Sequence, residues 1–216
     1  LSATSAINLT VNPINDAPVA TAVSYTFDED TTVTITAADL LAASSDIDSA
    51  NLSITSVSVA PGLGTLVDNG DGTWSFTPNA NFNGSLDLSY TVSDGALTST
   101  SAINLTVNPV NDAPVVNPVT LSATEDTAVT FTRAQLLGTS YDIEGTTLTI
   151  VGNTVTSNHG SVVYNSGADT WTFTPNANYN GAANLSYTLS DGSLTTASNT
   201  TINIAAVNDA PVVNPV

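Results

Sequence analysis

An internal repeat of about one hundred residues constrains this chain more than any other feature. The string Asn-Asp-Ala-Pro-Val begins at Asn15, Asn111 and Asn208, at intervals of 96 and 97 residues. Two further strings recur at nearly the same interval, FTPNAN from Phe76 and Phe173, and a Leu-Ser-Tyr-Thr-x-Ser-Asp-Gly motif. Because a repeat of this length is long enough to form its own domain, the chain is predicted to contain two complete units. The predicted boundaries are 1–15 for the last strand and linker of a preceding repeat, 16–111 for repeat 1, 112–208 for repeat 2, and 209–216 for the start of a following repeat.

The pattern of apolar residues within each unit has a period of two. Ile103, Leu105 and Val107 alternate with polar residues, and Thr and Val are frequent in all such runs, which is typical of half-buried β-strands. Turn signals such as DNGDG at 68–72 and SDG at 93–95 separate the runs. Only AADLL (37–41) and RAQLL (133–137) resemble a helical turn. The sequence therefore predicts an all-β fold of two tandem antiparallel β-sandwiches with Greek-key connections, arranged as an elongated rod. The predicted core residues are Trp74, Phe76 and Tyr90, and their counterparts Trp171, Phe173 and Tyr187.

The charge of the chain excludes several classes of partner. A single Lys or Arg, Arg133, stands against nineteen acidic residues, and the formal net charge is −18. Binding to nucleic acid phosphates or to an anionic membrane surface requires clustered basic residues, so neither partner is expected. Cysteine is absent, which excludes disulfides and thiolate zinc sites.

Many of the acids occupy recurring positions rather than being scattered. Each Asn-Asp-Ala-Pro string carries an Asn and an Asp, an acidic pair follows the first strand of each unit, a second pair follows the next strand, and one Asp precedes the last strand. These positions are Asn15, Asn111 and Asn208; Asp16, Asp112 and Asp209; Glu29, Asp30, Glu125 and Asp126; Asp46, Asp48, Asp142 and Glu144; and Asp94 and Asp191. In contrast, Asp68, Asp71 and Asp87 have no acidic counterpart and are predicted to be turn or surface residues.

Sandwich topology predicts where the recurring acids meet. The incoming linker, the second acidic pair and the Ser-Asp-Gly loop belong to one end of a sandwich, and the first acidic pair belongs to the end where the chain leaves. Six carboxylates and one amide are therefore expected at the linker between the repeats, from Glu29, Asp30, Asn111, Asp112, Asp142, Glu144 and Asp191. Each pair of like charges about 5 Å apart costs roughly 3 kcal/mol at an effective dielectric near 20, and only one basic side chain is present.

A cation with oxygen ligands would remove this repulsion. Calcium accepts six to eight oxygens in flexible geometry, whereas zinc would require His or Cys, of which the chain has one His and no Cys. The sequence thus favours calcium, with solvated loop acids as the alternative. The sites formed by Asp16, Asp46, Asp48 and Asp94, and by Glu125, Asp126 and Asp209, lack their second half in this sequence. Full affinity is therefore expected only at the central linker.

The motifs named above resemble those of cadherin repeats. The linker VNPVNDAPV (107–115) is similar to the cadherin linker, Asp142-Ile143-Glu144 to its DxD element, and Glu29 to its first glutamate. The order of motifs resembles still more closely the bacterial cadherin-like repeat of giant RTX-type secreted adhesins. This resemblance implies a cadherin- or immunoglobulin-like sandwich, calcium in the linkers, and secretion to the bacterial cell surface. The cadherin LDRE element has no evident equivalent; Asp87 is the nearest acid.

Two functions follow from this resemblance. In the first, the repeats are calcium-rigidified extender spacers, monomeric apart from contact with neighbouring repeats, that project an adhesive tip for cell adhesion and biofilm formation. In the second, one repeat is a module that binds a glycan, ice or a protein. An enzyme is not expected, because no G-x-S-x-G string occurs and His159 is the sole candidate base.

Overall fold

The computed structural model describes residues 1–211 and divides the chain into two compact units, 1–110 and 111–216. The predicted start of a further repeat, 209–216, lies outside the described residues from 212 onward. Strands account for most of the regular structure of both units, and each unit has one short α-helix. Within the described part of the chain, no helix is long and apolar enough to cross a membrane.

The first unit contains nine strands and one helix. They are β1 (Val19–Ala20), β2 (Val23–Asp28), β3 (Val33–Thr36), α1 (Ala37–Ala42), β4 (Ser44–Ser45), β5 (Ser53–Val59), β6 (Gly64–Asp68), β7 (Thr73–Pro78), β8 (Gly84–Ser93) and β9 (Thr98–Asn108).

These strands form two sheets and a short ladder. One sheet has the order β2-β9-β8-β5, the other β3-β7-β6, and β1 pairs with β4. All pairs are antiparallel, as predicted, except that β2 runs parallel to β9. Parallel neighbours require a long connection, and here the rest of the unit supplies it.

The second unit repeats the two sheets of the first with a difference in the edge strand, and a single bridge between Val115 and Tyr141 stands in place of the β1–β4 ladder. Its elements are β10 (Thr120–Thr124), β11 (Val129–Thr132), α2 (Arg133–Leu137), β12 (Thr149–Ile150), a 3₁₀ turn (Val151–Asn153), β13 (Thr156–Ser157), β14 (Gly160–Asn165), β15 (Thr170–Pro175), β16 (Gly181–Ser190) and β17 (Thr195–Ala205). The sheets are β10-β17-β16 with β12 and β13 on the outer edge of β16, and β11-β15-β14. The 3₁₀ turn thus interrupts the strand that is continuous as β5 in the first unit.

Each unit has its own hydrophobic core, made by the inward residues of both sheets. The alternation along β8, where Leu86, Leu88, Tyr90 and Val92 are all buried, reflects the period of two in the sequence. All six predicted core residues are buried, at 8% exposure or less: Trp74, Phe76, Tyr90, Trp171, Phe173 and Tyr187. The predictions of an all-β fold and of its core are therefore confirmed.

The two helices occur where the sequence predicts helical turns. The side chain of Thr36 accepts a hydrogen bond from the Asp39 N–H in α1, and Thr132 and Gln135 form a capping box in α2. Leu40 and Leu136 are the buried residues of these helices, so each helix covers an edge of the core.

Residues 1–18 form no strand. Ile7, Leu9 and Val11 are 86%, 87% and 90% exposed, whereas the same three residue types in β9 are buried. Residues 4–13 and 100–109 are identical in sequence. Burial of this stretch therefore depends on the neighbouring strands and not on its own sequence.

Candidate metal centre

The recurring acids of the second unit come together where the linker enters the sandwich. Asn111 donates from Nδ2 to Oδ2 of Asp191 at 2.8 Å, across 80 residues of sequence. The backbone N–H of Asp112 donates to Oε2 of Glu144 at 3.1 Å. These two hydrogen bonds attach the linker to the loop between α2 and β12, which carries Glu144, and to the loop between β16 and β17, which carries Asp191.

Asp142, two residues before Glu144 in the same loop, is 5% exposed. Its Oδ1 accepts a hydrogen bond from the Thr146 N–H at 2.9 Å. Its Oδ2 is buried and accepts no hydrogen bond from the described residues. A buried charged oxygen without a partner is costly, and a bound cation would satisfy it.

The first unit has the same arrangement. Asn15 donates to Oδ2 of Asp94 at 2.7 Å, and the Asp16 N–H donates to Oδ2 of Asp48 at 2.8 Å. Oδ1 of Asp46 accepts the Asp48 N–H at 2.7 Å, while its Oδ2 is buried and accepts no hydrogen bond from the residues in the described range. The four residues Asn15, Asp16, Asp48 and Asp94 are therefore brought together in the same way as their counterparts in unit 2.

Hydrogen bonds from the backbone and from an asparagine side chain stabilise the ionised form of the last Asp in each group. The Ser193 N–H, followed by the Asn111 side chain, lowers the pKa of Asp191 below its ordinary value. In the first unit, the Asn15 side chain is the largest cause of the lowered pKa of Asp94. Both carboxylates are therefore charged at neutral pH.

Glu29 and Glu125 lie at the other end of their units, where the chain leaves β9 or β17. They are 2% and 3% exposed. Oε1 of Glu29 accepts the Val110 N–H at 2.7 Å, and Oε1 of Glu125 accepts the Val207 N–H at 2.6 Å. Each glutamate thus binds the residue that directly precedes an Asn-Asp-Ala-Pro string.

The neighbouring acids Asp30 and Asp126 contact a loop of their own unit. Oδ1 of Asp30 accepts the Asn81 N–H, and Oδ1 of Asp126 accepts the Asn178 N–H, both at 3.0 Å. Both aspartates are exposed.

The last predicted positions, Asn208 and Asp209, are also exposed. Asn208 donates from Nδ2 to the carbonyl oxygen of Asp209 at 3.4 Å. No hydrogen bond in the described part of the chain joins these two residues to the other predicted ligands.

The side chains of Asn83 and Asn180 were not predicted to take part in the site. Asn83 donates from Nδ2 to Oε2 of Glu29 at 3.3 Å, and Asn180 donates to Oε2 of Glu125 at 3.1 Å. The available signal was an Asn-x-Asn-Gly string at 81–84 and 178–181, which also reads as an ordinary turn.

The single basic side chain is engaged away from these acids. Arg133 binds Asp169 through Nε at 2.8 Å and through Nη2 at 2.7 Å, and its guanidinium lies 5.3 Å from the centre of the Trp171 ring. Asp68 and Asp71 accept hydrogen bonds from Gly70 and Thr73 in the β6–β7 turn, as predicted for turn residues. The recurring acids therefore have no basic side chain to neutralise them.

The pair of Arg133 and Asp169 predicts a pH effect. Arg133, and then Tyr164, lowers the pKa of Asp169. The stability from this pair is therefore fully present above the unfolded pKa of about 3.9 and is lost as the pH falls through the lower folded value. Asp169→Asn is expected to reduce stability at pH 7 and to flatten the acid limb of the thermal midpoint measured from pH 6 to 2 in EDTA. Asp87→Asn, which removes an exposed charge on β8, is the control; parallel profiles for Asp169→Asn and the unmodified chain would contradict the expectation.

The donor set fits calcium. It consists of carboxylate and amide oxygens, which are the ligands of a hard cation. The buried Oδ2 atoms of Asp46 and Asp142, which accept no hydrogen bond from the described residues, are the atoms that a bound cation would satisfy. The group of residues offers no sulfur and no imidazole, so it does not fit zinc.

A family model described as a cadherin-like domain matches residues 14–108 and 110–205. The chain therefore belongs to the cadherin-like domain family, in two tandem copies. Tandem domains of this family are adhesion or structural repeats of extracellular proteins, which points away from an enzyme. No curated protein matches the chain.

Solved structures of two kinds are similar to this chain. The human desmocollin-1 ectodomain has a TM-score of 0.46 and 11% identity over 89% of this chain and 41% of its own. The EC1-2 fragment of human protocadherin-24 has a TM-score of 0.44 and 14% identity over 91% of this chain and 100% of its own. An endo-fucoidan hydrolase from glycoside hydrolase family 107 has a TM-score of 0.34 and 26% identity over 92% of this chain. The chain spans 30% of the length of that hydrolase.

Proposed function

We propose that each cadherin-like repeat binds calcium through the acidic residues of its linker and the acidic residues to which the linker is hydrogen-bonded. The observation that carries this proposal is the buried Oδ2 atom of Asp142, which has no hydrogen-bond donor in the described range, beside the Asn111–Asp191 and Asp112–Glu144 contacts. A calcium ion there would satisfy that oxygen and reduce the repulsion between the carboxylates. The equivalent residues in unit 1 are Asn15, Asp16, Asp46, Asp48 and Asp94.

Glu29 and Glu125 are proposed as ligands from the outgoing end of each repeat. Glu29 binds the N–H of Val110, and the next residue, Asn111, binds Asp191. Consecutive linker residues are thus bound to acidic groups of successive repeats. Calcium bound by the acids of either repeat would restrain the linker residues that those acids bind.

The biological role that follows is a calcium-rigidified spacer. We propose that the repeats are extender domains of an RTX-type adhesin on a bacterial surface, where they project an adhesive tip. The high negative charge supports a calcium-dependent role. The chain has a single Lys or Arg against nineteen acidic residues, and calcium would supply the positive charge that compensates them. Affinities of about 10⁻⁴ to 10⁻³ M are usual for extracellular calcium modules.

The spacer role predicts that the linker aspartate Asp112 contributes more than the turn aspartate Asp71 to the thermal stabilisation by calcium. Asp112→Ala is expected to reduce the rise in thermal midpoint that calcium produces, because Asp112 belongs to the linker and recurs as Asp16 and Asp209. Asp71→Ala, in the β6–β7 turn, is expected to leave the calcium-induced rise unchanged. Small-angle scattering with calcium and with EDTA should show that chelation broadens the range of dimensions of the unmodified chain. Equal effects of both substitutions, or scattering curves that calcium does not change, would contradict the spacer assignment.

A further inference from the structure

The loop that crosses from the three-stranded sheet to the other sheet of each sandwich has the same unusual backbone in both units. It joins β7 to β8 in the first unit and β15 to β16 in the second. Asn81 has φ of 58° and Asn178 has φ of 55°, in the left-handed region that only a few residue types adopt easily. The N–H groups of these two residues are bound by Asp30 and Asp126, which themselves have φ of 57°.

The loop places an asparagine side chain two residues later against a buried glutamate. Asn83 donates to Oε2 of Glu29, while Oε1 of the same carboxylate accepts the Val110 N–H. In the second unit, Asn180 and the Val207 N–H bind the two oxygens of Glu125 in the same way. Each carboxylate is therefore held from two sides by neutral donors.

We infer that Asn83 and Asn180 are positioning residues that set the orientation of Glu29 and Glu125. We further infer that Asp30 and Asp126 hold the loop that carries these asparagines and do not bind the metal. The role of these residues in metal binding rests on the proposed calcium-binding function. The hydrogen bonds that orient the two glutamates are present without calcium.

The chemistry of the amide suits this role. An Asn N–H orients a carboxylate without neutralising it, and a carboxylate oxygen that accepts one hydrogen bond retains a further lone pair for a cation. A Lys or Arg at the same place would compete with calcium. Outer groups that orient a metal ligand commonly change metal affinity by 10- to 100-fold when they are removed.

The two units provide matched variants for a test by amide hydrogen exchange in EDTA. Asn83→Ala is expected to make the Val110 amide exchange about fivefold to tenfold faster and to leave the Val207 amide unchanged, because Glu29 becomes free to rotate away from Val110. Asn180→Ala should have the reverse effect. Asn69→Ala is the control, since the Asn69 side chain bonds Thr73 and Ser75 in the β6–β7 turn.

The result that would overturn the inference is an unchanged Val110 amide in Asn83→Ala, or equal acceleration of both valine amides. Exchange is measured without calcium, so it decides the inference even if the unmodified chain binds none. If the unmodified chain does bind calcium, Asn83→Ala should weaken binding about tenfold by calorimetry, and Asp30→Asn should weaken it less than Glu29→Gln does. Equal losses for Asp30→Asn and Glu29→Gln would return Asp30 to the ligand set.

Discussion

Calcium at 10 mM is expected to stabilise the chain by about 3 kcal/mol for every site it fills. The reason is mass action: a ligand at one hundred times its dissociation constant, here about 10⁻⁴ M, contributes about 2.7 kcal/mol. For domains of this length, such a gain raises the thermal midpoint by about 10 °C or more. Circular dichroism melts in calcium and in EDTA measure the difference directly.

The control for this prediction is magnesium at the same concentration and ionic strength. Magnesium requires near-octahedral geometry and gives up its water reluctantly, so it should raise the midpoint less than calcium does. Midpoints that are the same in EDTA and in calcium would contradict the prediction.

Phe173→Ala is expected to lower the free energy of unfolding by about 3–5 kcal/mol. Phe173 is 0% exposed, lies in β15 and contributes to the core of the second unit. Removing a buried ring loses its transfer free energy and leaves a cavity. Urea unfolding followed by circular dichroism would measure the loss, and Phe76→Ala is the equivalent change in the first unit.

Val163→Ala on β14 is the matched control. Val163 is 65% exposed, so its truncation should change the unfolding free energy by no more than about 0.5 kcal/mol. A loss below about 1 kcal/mol for Phe173→Ala would show that the ring is not packed as described.

Most of the architecture could be predicted because two independent signals agree. The period of two identifies strands whose inward residues, such as Trp74 and Phe76, form a core, and the repeat identifies where one core ends and the next begins. The RAQLL string at 133–137 correctly indicated α2, and the structure adds that Thr132 and Gln135 cap this helix.

Two features of the sheets were not predictable from these signals. The parallel pairing of β2 with β9 depends on which sheet edge is free after the other strands have paired. The 3₁₀ turn Val151–Asn153 replaces part of an edge strand that the first unit forms normally. Alternation of apolar residues reports which face of a strand is buried, but it does not report the partner or the direction.

The acidic residues of the candidate site could be identified from the sequence because acidic residues recur at equivalent positions of the two repeats. Recurrence separated Asp142 and Asp191 from Asp71, and sandwich topology indicated that their loops share one end of a unit. Burial of Glu29 and the role of Asn83 could not be obtained in this way. An asparagine in a glycine-containing turn looks the same whether or not its amide reaches a carboxylate.

Calcium titration of the whole chain by calorimetry tests the central claim most directly. We expect the unmodified chain to bind calcium at millimolar or lower concentrations, Asp142→Asn to bind at least about tenfold more weakly, and Asp87→Asn to bind as the unmodified chain does. The two substitutions remove the same charge, but of these two residues Asp142 is the one with a buried oxygen that accepts no hydrogen bond from the described residues. Absence of binding at millimolar calcium, or equal affinities for the two variants, would contradict the account.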